Sequence, residues 1–327
     1  MIRTCSLRRR LPALIPLFAV IQLTGTAALA VDPPSNDPPQ QVPPLAVTEI
    51  APGIYVHQGL HAEATPENLG GIANIGFIIG SESIAVVDTG GSLREGEALL
   101  AAIRQISPLP VRYVINTHFH PDHIFGNGAF AASHPEVIAH ANLPRSLAAR
   151  AGDYLAAARS ALGQSFLGTE IPNPKRLVGK TEDLDLGHRR LHLTAFPPAH
   201  TDADLTVYDE KTGTLFAGDL LFMERVPAID GSVLGWLKAI DKLRRVKAER
   251  VVPGHGPVSA PWPAALDNEE GYLFLIATET RKALAAGQSL QQATETVGLS
   301  ERSNWQLFDA YNGRNVTAAY TELEWEE

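Results

Sequence analysis

His118-Phe119-His120-Pro121-Asp122-His123 is the stretch whose chemistry and setting decide the reading of this chain. Four of these six side chains can bind a metal, and the run follows Arg112 to Ile115, which reads as a buried strand. In extended chain, residues two apart point to the same side, so His118 and His120 can face one cation together. Asp122 and His123, just past Pro121, can turn toward a second position. Neutral imidazole is a borderline ligand suited to zinc, while a carboxylate adds charge that raises affinity and accepts a proton from bound water. Packing gives no reason for so dense a polar cluster at the end of a buried strand, whereas rigid scaffolds carry their chemistry on strand-end loops. Taken singly, His57, His61, His134, His140, His188 and His192 read as surface or hydrogen-bonded core residues.

Three later sites share this context. His200 stands in Pro197-Pro198-Ala199-His200-Thr201-Asp202, Asp219 in Phe216-Ala217-Gly218-Asp219, and His255 in Val252-Pro253-Gly254-His255-Gly256-Pro257. Each follows a β run and lies beside glycine or proline. Whole strands and helices fit in the intervals, so these side chains meet only if folding brings them together.

The rest of the pattern alternates strand and helix. Ile54 to His57, Asn74 to Ile79 and Ile84 to Val87 read as short strands; Ser92 to Ile106 and the alanine-rich Asn142 to Leu162 read as helices. Leu191 to Ala195, Leu205 to Tyr208, Leu215 to Ala217 and Arg250 to Val252 supply further strands, and Val233 to Val246 a helix. Two mixed sheets covered by helices accommodate this order. The polar, glycine-rich segment Gln58 to Ala73 enters between early strands and reads either as a solvated hairpin loop or as a segment that contacts substrate. From Pro263 onward the pattern is helical or irregular, and its aromatic residues, Trp305, Phe308, Tyr311, Tyr320 and Trp325, read as packing or contact surface.

The 327 residues are 45% apolar and 19% charged, an ordinary globular composition. Arg3, Arg8, Arg9 and Arg10 precede an apolar run from Leu11 to Val20 and the small residues Ala27-Ala28-Leu29-Ala30, which is the pattern of a signal peptide cleaved after Ala30. Pro12 and Pro16 interrupt the run and Gln22, Thr24, Gly25 and Thr26 dilute it, which argues against an uncleaved anchor; after cleavage no stable membrane insertion is expected. The expected organisation is a signal peptide at 1–30, a proline-rich linker at 31–45, the main domain at 46–262 and a C-terminal helical extension at 263–327, with a periplasmic or secreted location. The formal charge of −9 becomes more negative when the leader's arginines go, which argues against nucleic acid as partner. Cys5, the single cysteine, leaves with the leader, so catalysis must use oxygen, nitrogen or metal.

In its ordered ligand set, from Thr48 to Pro257, the sequence resembles the metallo-β-lactamase superfamily. The resemblance implies an α/β fold, an αββα sandwich with the site at one edge between the two sheets, extended here by C-terminal helices. It also implies two zinc ions per chain: His118, His120 and His200 on the first, Asp122, His123 and His255 on the second, and Asp219 bridging. Histidine at 120 fits zinc hydrolases; iron-dependent relatives often carry a carboxylate there. The implied reaction is hydrolysis of a small, carbonyl-type substrate by metal-ionised water, with Asp122 as a catalytic residue that orients that water or shuttles its proton.

Asp219 stands where dedicated β-lactamases more often have cysteine or serine, and resembles the bridging aspartate of glyoxalase-II-type thioester hydrolases. The leader, the two histidine motifs and the ending Asn315-Val316-Thr317-Ala318-Ala319-Tyr320-Thr321-Glu322-Leu323 together resemble the quinoprotein relay system zinc metallohydrolases. That narrower resemblance implies a periplasmic quinoprotein dehydrogenase system as partner. Glyoxalase-II-like or β-lactamase activity, and a non-catalytic metal-binding accessory role, are the alternatives.

Overall fold

Short, mostly apolar strands give this chain two sheets. The computed structural model describes Met1, residues 42–171 and residues 173–326. Apart from Met1, the expected leader lies outside the described residues, as does the expected linker through residue 41. The first sheet holds β1 (Thr48–Ala51), β2 (Ile54–His57), β3 (Ile75–Ile79), β4 (Ile84–Val87), β5 (Val111–Ile115), β6 (Glu136–His140) and β7 (Arg176–Val178), in that spatial order. Pairing is antiparallel through β4 and parallel from β4 to β7. Parallel pairs need crossovers, and these are α1 (Leu93–Ile106), the short α2 (Pro121–Ile124) with the turn that follows it, and α3 (Leu143–Leu162).

The second sheet contains β8 (Thr181–Asp185), β9 (Arg190–Ala195), β10 (Leu205–Asp209), β11 (Thr214–Phe222), β12 (Arg250–His255) and β13 (Ala260–Pro261), ordered β13-β12-β11-β10-β9-β8. Helix α4 (Val233–Leu243) makes the crossover between the parallel β11 and β12. After β13 come α5 (Asp267–Ala285), α6 (Leu290–Thr296) and α7 (Phe308–Leu323).

The layers follow from the period of two. In β4, Ala85 and Val87 face the second sheet's Leu193, Val207 and Phe216, while Ile84 and Val86 face Leu99 and Ile103 of α1. In β11, Phe216 joins the inter-sheet core, while Leu215 and Ala217 pack with Trp236 and Ile240 of α4, Ile276 of α5 and Val316 of α7. The result is the expected αββα sandwich, with the C-terminal helices built into its outer layer. Helix starts are set locally: the Ser92 hydroxyl accepts from Glu95 N and the Ser232 hydroxyl from Gly235 N.

Two strands run further than the sequence pattern indicates. Gly218 and the pair Pro253-Gly254 are expected to end strands, yet β11 continues to Phe222 and β12 to His255, through register shifts on either side of Gly218. Asp219 therefore lies within a strand and His255 at the end of one, rather than in loops beyond them. Among the described residues, no helix is long and apolar enough to cross a membrane.

Candidate metal centre

The seven predicted ligands meet at one end of the sandwich, each held by a local break in regular structure. His118 leaves β5 in a bend, and Pro121 opens the single turn of α2 that carries Asp122 and His123. Between β9 and β10, His200 sits in a turn braced by Asp204, which accepts from Thr201 N at 2.9 Å and from the Thr201 hydroxyl at 2.6 Å. Asp219 is aimed by Gly218, whose φ of +54° would strain any other residue. A Cβ at Gly218 would lie 2.6 Å from the Thr117 side chain, and one at Gly254 would lie 1.9 Å from Asp219 Oδ1. Both glycines are therefore imposed by the site.

One group of converging atoms comes from His118, His120, His200 and Asp219, the other from Asp122, His123 and His255; within each, the ligand-capable atoms lie within 4.8 Å of one another. Asp219 reaches both. Its Oδ2 is 3.6 Å from His118 Nε2, 3.4 Å from His200 Nε2 and 3.3 Å from His255 Nε2, while its Oδ1 is 3.0 Å from His123 Nε2. His120 turns Nδ1 inward, 3.0 Å from His200 Nε2. Asp122 Oδ2 lies 3.4 Å from His255 Nε2 and 3.8 Å from His123 Nε2.

Each ring's outward nitrogen has an acceptor, which leaves the inward nitrogen as a lone-pair donor. His123 Nδ1 donates to Asp88 Oδ2 at 2.8 Å, His120 Nε2 to Asp230 Oδ2 at 3.0 Å, His200 Nδ1 to the Ala228 carbonyl at 2.6 Å and His255 Nδ1 to the Ile72 carbonyl at 2.7 Å. The Thr117 hydroxyl gives its proton to Asp88 and so accepts from His118 Nδ1 at 3.1 Å. Among the described residues, the buried His118 Nε2 has no hydrogen-bond partner, and the buried His123 Nε2 and Asp219 Oδ1 face only each other, outside hydrogen-bonding geometry. Leaving such atoms unsatisfied costs about 1–3 kcal/mol each, and a cation in their midst removes that cost. The donor set thus fits metal ions.

Electrostatics divide the rings. Burial lowers His123, but Asp219, Asp122 and Asp88 overcome it and raise that ring well above the ordinary histidine value, so its inward proton leaves only when a cation takes its place. Burial holds His118 well below the ordinary histidine value, lowers His255 and brings His200 down to about 3, so these rings are neutral, as ligands must be. Burial opposes charge on Asp219 too, but its histidine neighbours, the charged His123 first among them, overcome it and hold the carboxyl well below its usual range.

Several residues here carry no motif. Asp88 adopts φ +56° and accepts from Thr117 N at 2.8 Å as well as from His123; its one sequence signal is the dipeptide Thr89-Gly90 after an apolar strand. Asn315 of α7 accepts from Ile229 N at 2.9 Å and donates to the Pro227 carbonyl at 2.6 Å, steadying the loop that holds Ala228 and Asp230. Arg225, Tyr311 and Arg314 line the cavity of about 360 Å³ over the cluster. The segment Gln58 to Ala73 lies beside the cavity through Ile72, and Asn74 ties its base to the Gly254 backbone. His57, His61, His134, His140, His188 and His192 stand outside both metal-capable groups.

The family model for the metallo-beta-lactamase superfamily matches residues 69–255, more than half the chain and a span containing every one of the seven side chains. The chain belongs to the metallo-beta-lactamase superfamily. It is 45% identical over 51 residues to a linear primary-alkylsulfatase of Pseudomonas sp. (strain ATCC 19151), a match covering 16% of this chain and 10% of the relative. It is 26% identical over 213 residues to acyl-coenzyme A thioesterase MBLAC2 of Bos taurus, covering 57% of this chain and 74% of the relative. The sec-alkylsulfatase Pisa1 structure from Pseudomonas sp. superposes with a TM-score of 0.66 at 17% identity, over 85% of this chain and 50% of that one. A metallo-beta-lactamase structure from Pontibacter korlensis gives 0.57 at 22% identity, over 70% and 99%. The chain thus spans a tenth of the alkylsulfatase sequence it matches and half of the alkylsulfatase structure. Residues before Pro263 make up about four-fifths of the chain, so the 85% match reaches into the C-terminal helices.

Proposed function

We propose that this protein is a dinuclear zinc hydrolase acting on a carbonyl-type ester or thioester. The observation that carries the reading is the set of inward-facing nitrogens around Asp219, each ring fixed from behind by its own acceptor. His118, His120 and His200 would hold one ion and Asp122, His123 and His255 the other, with Asp219 between them. An all-nitrogen trio beside a carboxylate-containing one suits zinc. When bound, such a pair lowers the pKa of water from about 15.7 toward about 7 and polarises a carbonyl.

The chain's own residues do the rest. Asp122 is ionised, because its histidine neighbours, His123 first, outweigh the effect of its burial, and it lines the cavity. It accepts the proton of the attacking water and passes it to the leaving oxygen or sulfur. The water oxygen bonds to the carbonyl carbon, the bond to the leaving atom breaks, and an acid and an alcohol or thiol depart. The thioesterase relative, covered over 74% of its length, supports the carbonyl reading; the alkylsulfatase segment, at 45% identity, favours sulfate esters as the second. Export to the periplasm and service to a quinoprotein dehydrogenase there are part of the proposal and rest on the sequence alone.

The test is elemental analysis of purified protein with a hydrolysis screen of thioesters, lactones, sulfate esters, phosphodiesters and β-lactams. Two zinc equivalents and turnover are expected, both lost in Asp219→Ala and His120→Ala. Full metal content and turnover in either variant would contradict the assignment, and bound metal with no turnover across the panel would favour an accessory role.

A further inference from the structure

The cavity over the cluster has two unlike arms meeting at Asp122 and Ile72, which line both. One arm, of about 220 Å³, runs between the Gln58–Ala73 segment and α3. Its walls are apolar: Ala64 and Ile72 on one side, Ala158, Ala161, Leu162 and the Tyr154 ring on the other.

The other arm is cationic. The Tyr311 ring is flanked by two guanidinium groups, Arg225 at 5.0 Å and Arg314 at 5.2 Å from its centroid. Arg225 is only 4% exposed, and its Nη2 donates to the Tyr311 hydroxyl at 2.9 Å. Its Nε has no partner among the described residues. Its Nη1 lies 3.3 Å from His255 Nδ1, an atom already committed as donor to the Ile72 carbonyl and so no acceptor. Among the described residues, neither Arg225 nor Arg314 is in an ion pair. A buried guanidinium without a carboxylate is costly, and a planar anion offering two oxygens would meet it. The carboxylates that share this cavity, Asp122, Asp219 and Asp230, are engaged by histidines instead, and Glu63 at its rim meets the Tyr311 hydroxyl and pairs with neither guanidinium.

Resting on the hydrolase reading, we infer that the substrate is an amphiphilic anion. Its apolar chain lies along α3, its scissile bond over Asp122, and its anionic group against Arg225, Tyr311 and Arg314. The two arms then select opposite ends of one molecule.

Four thioesters test this: S-octanoyl and S-acetyl derivatives of 3-mercaptopropionate and of its uncharged amide. In the zinc-loaded full chain, kcat/KM for the octanoyl carboxylate should exceed that of its amide and of its acetyl counterpart by at least about tenfold each. Arg314→Gln should bring the carboxylate-to-amide ratio to within about twofold of unity, and Ala161→Phe should cut the octanoyl-to-acetyl ratio about tenfold. Both positions are exposed, and ratios cancel any loss of folded protein. Equal rates across the four thioesters would overturn the inference and leave the hydrolase reading intact. If none is turned over, binding of 11-(dansylamino)undecanoate decides: binding weakened by both variants upholds the amphiphilic anion while the hydrolase reading fails, and no binding overturns it.

Discussion

At the scale of single residues, the site depends on groups that never touch a metal. Asp88 takes three hydrogen bonds on one buried carboxylate, from Thr117 N, the Thr117 hydroxyl and His123 Nδ1. Asparagine tolerates the same left-handed backbone, so Asp88→Asn should fold with unchanged secondary structure. The Thr117 N–H can only donate, so it keeps the amide oxygen on its side and the amide N–H group faces His123, which loses the acceptor that fixes its tautomer. Affinity for the cation held by Asp122, His123 and His255 should fall about 10–100-fold, measured by competition with a chromophoric chelator. Unchanged affinity with Asn in place would show that Asp88 serves only the backbone turn. The seven ligand candidates were legible because each carries its own signal, a strand followed by histidine or aspartate beside glycine or proline. A lone Asp88, Asp230 or Arg225 has no such mark, because its role comes from a neighbour that only the fold supplies.

At the scale of elements, most apolar strands were read to within a residue or two, β11 and β12 were read short where glycine interrupts them, and weakly apolar strands such as β6 and β8 were missed. Glu136–His140 follows Pro135, and Thr181–Asp185 carries three acidic residues in five, a poor composition for a strand. Both form because a partner is waiting: β6 pairs with β5 and β7, and β8 with β9. Helix α7 was read as packing surface, and Val316 and Ala319 do pack. Its polar side nonetheless reaches the centre, since Asn315 grips the backbone on both sides of Ala228, whose carbonyl holds His200. Asn315→Asp keeps the size but replaces the donor to the Pro227 carbonyl with a second oxygen. The buried carbonyl is left unpaired, so stability should drop by about 1–3 kcal/mol. Zinc affinity at the His118, His120 and His200 group should fall about tenfold or more. Urea denaturation and zinc titration on the same preparation separate the two effects, and a stability loss with unaltered zinc affinity would confine α7 to packing.

At the scale of the whole molecule, chemistry and cohesion sit at opposite ends of the sandwich. The ligands gather where β5, β11 and β12 finish, while the turns that begin β4 and β11 carry a different kind of charge. There Arg189 pairs with Asp209 through Nε–Oδ1 at 2.8 Å and Nη2–Oδ2 at 2.9 Å, and its Nη1 donates to the carbonyls of Pro52 and Ile79 in the other sheet. Both side chains are almost fully buried, so one guanidinium fastens the two sheets together. Breaking a buried pair from one side leaves an uncompensated charge, which costs about 3–5 kcal/mol. Arg189→Leu should therefore lower the urea midpoint by that much stability with little change in slope, and zinc content and kcat should stay at wild-type levels wherever the protein remains folded. Replacing both partners, Arg189→Leu with Asp209→Leu, removes the stranded carboxylate and should recover most of the loss, because an apolar pair of similar volume substitutes for a buried ion pair at little net cost. A double variant no more stable than Arg189→Leu would mean that the links to Pro52 and Ile79, rather than the charge pair, join the sheets. A fall in kcat that tracks the fall in stability would mean that the two ends of the sandwich are mechanically coupled.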